Sequence, residues 1–126
     1  MTDEIVTTLL KLQTLSTRHQ VELNTKQIFE FVNSMEEYNR IDRNKVVDML
    51  VRIDQYLYEA KINYSFLVGN EGSLVIYLRV PASNNIELRE ELIELCSKAS
   101  VFGQCDEASP SSKPGDFSFA FRFWWD

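Results

Sequence analysis

Hydrophobic residues alternate most cleanly near the end of the sequence. Phe117, Phe119, Phe121, Phe123 and Trp125 recur at every second position, with Ser118, Ala120, Arg122 and Trp124 between them. Side chains of a strand point to its two faces in turn, so this spacing predicts a strand with five rings on one side. Five successive rings are more apolar surface than an open face leaves in water, and the strand is expected to close a core. Two further period-two runs precede it. Ile62, Tyr64, Phe66 and Val68 alternate with Asn63, Ser65 and Leu67, and Leu74, Ile76, Leu78 and Val80 alternate with Val75, Tyr77 and Arg79. Gly69-Asn70-Glu71-Gly72 is a turn signal between them and Pro81 ends the second run, which together predict a hairpin.

The period changes to that of a helix elsewhere. Over Thr2 to Thr17, Ile5, Leu9 and Leu12 share a stripe widened by Val6 and Leu10, and Asp3 and Glu4 suit the positive helix start. A second helix opens at Asn24, where Gln27 completes a capping box and Leu23 and Ile28 stand at the positions of a hydrophobic staple. Its stripe is Ile28, Phe31, Val32 and Met35, and Asn39 and Arg40 mark its exit. Asp42 caps a third helix that runs to about Ala60, with Ile41 and Val46 as a second staple. Val46, Met49, Leu50, Ile53, Tyr56, Leu57 and Ala60 form its apolar face. The connection of about four residues between these two helices predicts an antiparallel pair. Asn84 and Glu87 form another capping box, opening a helix to about Ala99 with Leu88, Leu92, Leu95, Cys96 and Ala99 inward. Val101 and Phe102 are expected in a short extended piece, and the polar stretch 106–116, with Pro110 and Pro114, in a flexible loop.

The expected fold is therefore α+β. Three N-terminal helices precede a ββαβ unit, and a mainly antiparallel sheet carries helices on one face. The 126 residues suit one domain spanning 1–126.

Composition narrows the functional classes. A net charge of −6 argues against general binding to nucleic acid, whose affinity comes largely from phosphate neutralisation, and against anionic membrane surfaces. It is compatible with a basic protein partner. The acidic opening Met1-Thr2-Asp3-Glu4 is unlike a signal peptide, no apolar run approaches ~18 residues, and two cysteines are too few for a disulfide scaffold. These features suit a cytoplasmic protein with both thiols reduced.

Residues that carry chemistry are sparse. His19 has no carboxylate or nucleophile at a telling spacing, and Cys96 and Cys105 make neither a redox pair nor a zinc site. Cys96 reads as a small core residue. Gly69 and Gly72 lack the Lys-Ser/Thr and helix of a phosphate loop. Asp54 interrupts an otherwise apolar stripe of Val47, Val51 and Tyr58 on the third helix, forming either a core edge with a satisfied carboxylate or an interaction patch. Glu90, Glu91 and Glu94 cluster on a helix and are candidates to steer a basic partner. Trp124 and Arg122 share the mixed face of the last strand, the composition of a binding hot spot. The aromatic strand lacks the basic neighbours of a base-stacking platform.

The sequence reads best as a small acidic cytoplasmic protein-binding module acting by docking or occlusion, of the inhibitor, immunity-like or virus-encoded adaptor type. Its contact residues would be Trp124, Arg122, Glu90, Glu91 and Glu94, with no catalytic residue, metal or cofactor. One alternative is an enzyme or enzyme subunit using carboxylates in a pocket that the sequence does not locate. Another is a structural homo-oligomer joined through the Val47–Tyr58 stripe.

Overall fold

A computed structural model describes residues 21–34, 41–71, 73–81, 85–111 and 118–126. The helix expected over Thr2 to Thr17, His19, the Met35, Asn39 and Arg40 end of the next helix, Gly72 of the turn, Asn84, residues 112–116 of the expected loop and Phe117 lie outside the described residues. The described elements are β1 (Val21–Leu23), α1 (Thr25–Ser34), α2 (Arg43–Glu59), β2 (Ser65–Asn70), β3 (Leu74–Val80), α3 (Ile86–Gly103), β4 (Glu107–Pro110) and β5 (Phe119–Trp124). The strands form one antiparallel sheet in the order β1-β2-β3-β5-β4.

The α+β class and antiparallel sheet agree with the hydrophobic pattern, but the element order differs from three helices followed by ββαβ. A strand stands before α1 and another before β5, giving β-α-α-β-β-α-β-β. Both additional strands lie at sheet edges. β1 has only three residues, too few to establish a repeat in the sequence, and pairs Val21, Glu22 and Leu23 with Val68, Leu67 and Phe66. β4 lies inside the stretch expected as a loop. Its strand character comes from the β5 backbone, which it meets from Glu107↔Trp124 to Pro110↔Phe121. Asp106 N donates to Trp124 O at 2.9 Å and Ser111 N to Ala120 O at 2.9 Å, extending the ladder at both ends. Pro110 is tolerated because an edge strand does not use every N–H.

Local chemistry fixes the helix ends. Asn24 Oδ1 accepts from Gln27 N and Gln27 Oε1 accepts from Asn24 N, both at 2.9 Å, which completes the expected capping box. Leu23 and Ile28 are both fully buried. Leu23 thus serves as the last residue of β1 and as the staple of α1. Asp42 Oδ1 caps α2 by accepting from Asn44 N at 3.0 Å. Asn85, one residue later than the Asn84 expected, caps α3 by accepting from Leu88 N at 3.2 Å. α2 ends in a Schellman closure: Lys61 adopts φ 56°, its N–H reaches Tyr58 O and Ile62 N–H reaches Leu57 O. α3 runs four residues beyond Ala99, so Val101 and Phe102 are helical and not extended.

The register divides the sheet into rows. Val21, Val68, Ile76, Phe123 and Ala108 are cross-strand neighbours on one face, as are Leu23, Phe66, Leu78, Phe121 and Pro110. Most of these side chains join Ile28, Val32, Leu50, Ile53, Leu57, Leu92 and Cys96 from the helices in one continuous core. The rings of Phe119, Phe121 and Phe123 are buried and stack along β5, with Phe121 and Phe123 centroids 4.9 Å apart. The intervening row, Glu22, Leu67, Tyr77, Arg122 and Ser109, points away from the helices.

The helices pack antiparallel to their neighbours. Arg43 reaches Asn33 O from the start of α2, whereas Asp54, toward its end, hydrogen-bonds Thr25 at the start of α1. α2 meets α3 through Met49 beside Gly103 at one end and Tyr56 with Glu91 at the other. Trp125, on the core side of the sheet, donates from Nε1 to Gly103 O at 2.7 Å and ties the end of the chain to the end of α3.

Candidate functional site

Arg122 organises the sheet face away from the helices. Its Nε lies 3.0 Å from Glu71 Oε1 and its Nη1 3.5 Å from Glu107 Oε1. The Tyr77 hydroxyl, in the adjacent cross-strand position, donates to the other oxygen of Glu71. Glu71 leaves the β2–β3 turn, so one carboxylate joins that turn to two strands. Burial, followed by the hydrogen bond and negative charge of Glu71, pushes the Tyr77 phenol up to about 12. Arg122 retains only 20% of its side-chain exposure and has carboxylates on two sides. Trp124 is half-buried beside it, with the guanidinium 5.8 Å from the ring centroid, and its indole N–H donates to Glu71 O at 3.0 Å. Val75, opposite Trp124 on this face, is fully buried.

Trp124 and Arg122 therefore share a face, as their spacing requires, and are engaged with Glu71. Glu90, Glu91 and Glu94 stand on α3, in the layer on the other side of the sheet. The structure does not bring the acidic trio together with Trp124. Glu91 accepts from the Tyr56 hydroxyl at 3.1 Å, and Glu94 pairs with Lys98 at 2.8 Å.

The trio instead has apolar neighbours on its own helix. Glu90, Glu94 and Val101 fall on one stripe by spacing of four and seven residues. Val101 is 74% exposed and Phe102 41% exposed. The Arg52 guanidinium, approached by Asp48 at 3.5 Å, sits 3.6 Å from the centroid of the Phe102 ring. The outer seam of α2 and α3 thus presents an aromatic ring, a stacked arginine, an aliphatic side chain and three carboxylates. Val101 and Phe102 are not legible as helix-surface residues in the sequence, because two adjacent apolar residues just past a helical stripe resemble the start of a strand.

The opposite flank of α2 carries the Asp54 stripe, which the structure divides. Val47 packs against the core and Asp54 is half-buried, whereas Val51 is exposed and Tyr58 is 80% exposed. Asp54 accepts a hydrogen bond from Thr25, which only partly offsets the desolvation that raises its pKa above the ordinary value. It opens into a cleft of about 770 Å³ lined also by Thr25, Tyr58, Lys61, Asn63 and Tyr64. Cys96 is buried in the core, which pushes its thiol pKa up, and Cys105 is half-buried with its Sγ 3.9 Å from Met49 Sδ. Burial and then the charge of Asp106 raise the Cys105 thiol to about 12.

Among the described residues no helix is long and apolar enough to cross a membrane. Comparison of the chain with protein-family models, with curated proteins and with solved structures returned no match.

Proposed function

We propose that this chain is a cytoplasmic protein-docking module of the inhibitor or adaptor kind, and that it contacts its partner through the outer seam of α2 and α3. The observation that carries this reading is the Phe102 ring, left partly in water at the helix surface with Arg52 stacked on it and Val101 exposed beside it. Aromatic and arginine side chains are enriched at the centre of protein interfaces, where they bury large, stiff surface at small entropic cost. Glu90, Glu91 and Glu94 lie about two to three turns before this patch on the same helix, and with the net charge of −6 they favour a basic partner and speed its approach. Trp124 and Arg122 serve in this proposal as a clamp that holds the sheet.

The test is affinity capture with matched baits. A basic protein held by the wild-type chain should be lost from a Val101→Ser, Phe102→Ser bait that retains the wild-type circular dichroism and unfolding transition. Equal recovery by the two baits would place the contact elsewhere.

A further inference from the structure

The cleft beside Asp54 lies on the other flank of α2, and three elements build it. Thr25 opens α1, Asp54 and Tyr58 lie on α2, and Tyr64 immediately precedes β2. The Thr25 and Tyr64 hydroxyls are 2.8 Å apart, and Tyr64 is braced edge-on against Phe66 with ring centroids at 5.6 Å. Tyr64 and Thr25 are thus joined within the lining, while Tyr58, which also lines the cleft, is largely in water. Among the described residues Asp54 forms no ion pair within 4 Å, and its only hydrogen-bond partner shown is neutral Thr25. Glu59 and Lys61 also line the cleft, so the formal charges of its lining residues, Asp54, Glu59 and Lys61, sum to −1. A half-buried carboxylate that shares its cleft with Tyr58 and Tyr64, and that forms no ion pair among the described residues, is complementary to a flat organic cation. The rings offer π faces and the carboxylate offers two acceptor oxygens to a planar fork of donors.

We propose that the Asp54 cleft binds a guanidinium group, the end of an arginine side chain presented by a partner protein. The source of the arginine rests on the docking function proposed above; the affinity of the cleft for guanidinium does not. Asp54 would accept from the fork, Tyr58 would close over its plane, and Asn63 lies on the cleft wall to accept from a remaining N–H.

The test is a titration of the ¹⁵N-labelled chain with methylguanidinium, with urea as the neutral isostere. Saturable shifts at Thr25, Asp54, Tyr58 and Tyr64, with a dissociation constant on the order of 1 mM, support the site. Asp54→Asn, which keeps the shape and an acceptor oxygen, should weaken binding about tenfold, and Tyr58→Ala should weaken it about threefold. Asp54→Asn should also unfold at the same or higher urea concentration than wild type, because it removes a desolvated charge; this separates lost binding from lost folding. Arginine capped at both ends, as in a polypeptide, should bind at least as tightly as free arginine. The proposal is overturned by shifts spread over Glu90, Glu91 and Glu94, by equal response to urea, by undiminished binding to Asp54→Asn, or by a preference for free arginine. Because no partner enters this titration, its failure leaves the α2–α3 docking seam untouched, and failure of the capture experiment leaves the titration untouched.

Discussion

Gly103→Ala tests the closeness of the α2–α3 crossing on which the docking seam depends. A methyl carbon added at Gly103 would lie 2.6 Å from Met49 Sδ, 3.3 Å from its Cβ and 3.4 Å from its Cγ. Unstrained carbon contacts lie at about 3.5–4.0 Å, so the sulfur must move by roughly an ångström. Met49 is fully buried and its Cβ is fixed to the α2 backbone, leaving rotation toward Cys105 or a shift of α3 as the routes of relief. Shifting α3 would pull on the Trp125 hydrogen bond to Gly103 O. Overpacking of this kind costs about 1–3 kcal/mol. Alanine is favoured over glycine by about 1 kcal/mol inside a helix, and less at its last residue, so the net loss is expected to be about 1–2 kcal/mol. Urea unfolding of Gly103→Ala, Met49→Ala and the double variant measures it. Met49→Ala alone should cost about 2–5 kcal/mol, and the added methyl should then fill part of the vacated space. The double variant should consequently lose at least about 1 kcal/mol less than the sum of the single losses. A Gly103→Ala protein as stable as wild type, or additivity within about 0.5 kcal/mol, would refute the close crossing.

Phe121→Ala, at the centre of the buried row, should cost about 3–5 kcal/mol in chemical unfolding, and a loss under about 1 kcal/mol would mean that the ring faces solvent. The Tyr77 phenol at about 12 keeps its proton in the folded chain where the unfolded chain, near 10, has lost it. The stability this provides is complete below pH 10 and falls as pH rises from 10 to 12; Tyr77→Phe should flatten that part of a stability–pH curve, and an unchanged slope would contradict the assignment. Replacing Glu107–Pro110 by Gly-Ser-Gly-Ser should cost about 1–3 kcal/mol through lost strand preference and the lost Glu107 contact to Arg122, and an unchanged melting temperature would show that β4 contributes nothing to the sheet.

The features legible in the sequence were those decided by neighbouring residues. Asn24 with Gln27, and Asp42 before Val46, announce their helices because each cap forms within one turn. The aromatic strand is legible because one residue type repeats over its length. Asn84 and Asn85 offer the same cap at adjacent positions, and only the backbone path chooses the second. The edge strands were hidden for a different reason. β1 spans a single apolar-polar-apolar step, too short to establish a period, and β4 is mostly polar, so both are specified by partners elsewhere in the chain. For β1 that partner is β2, more than forty residues away.

The candidate site divides in the same way. That Arg122 and Trp124 share a face follows from alternation. That Glu71 occupies them both follows only from the sheet order, which places the β2–β3 turn beside the end of β5. The acidic trio was visible, but its apolar neighbours were not, because Phe102 gains its meaning from Arg52 on another helix. Asp54 was visible as an anomaly in an apolar stripe; the cleft around it required Thr25 and Tyr64 to converge from elements on either side in the chain.

In the proposed docking mode, partner contact runs through the helical seam and not through the mixed face of the sheet. The most direct measurement is calorimetric affinity for the captured partner with two variants of matched fold, Phe102→Ala and Trp124→Phe. The first should weaken binding by at least about 2 kcal/mol, roughly thirtyfold, while the second stays within about twofold of wild type. The reverse order, with Trp124→Phe crippling the complex and Phe102→Ala leaving it intact, would move the contact to the sheet face and rule out the seam.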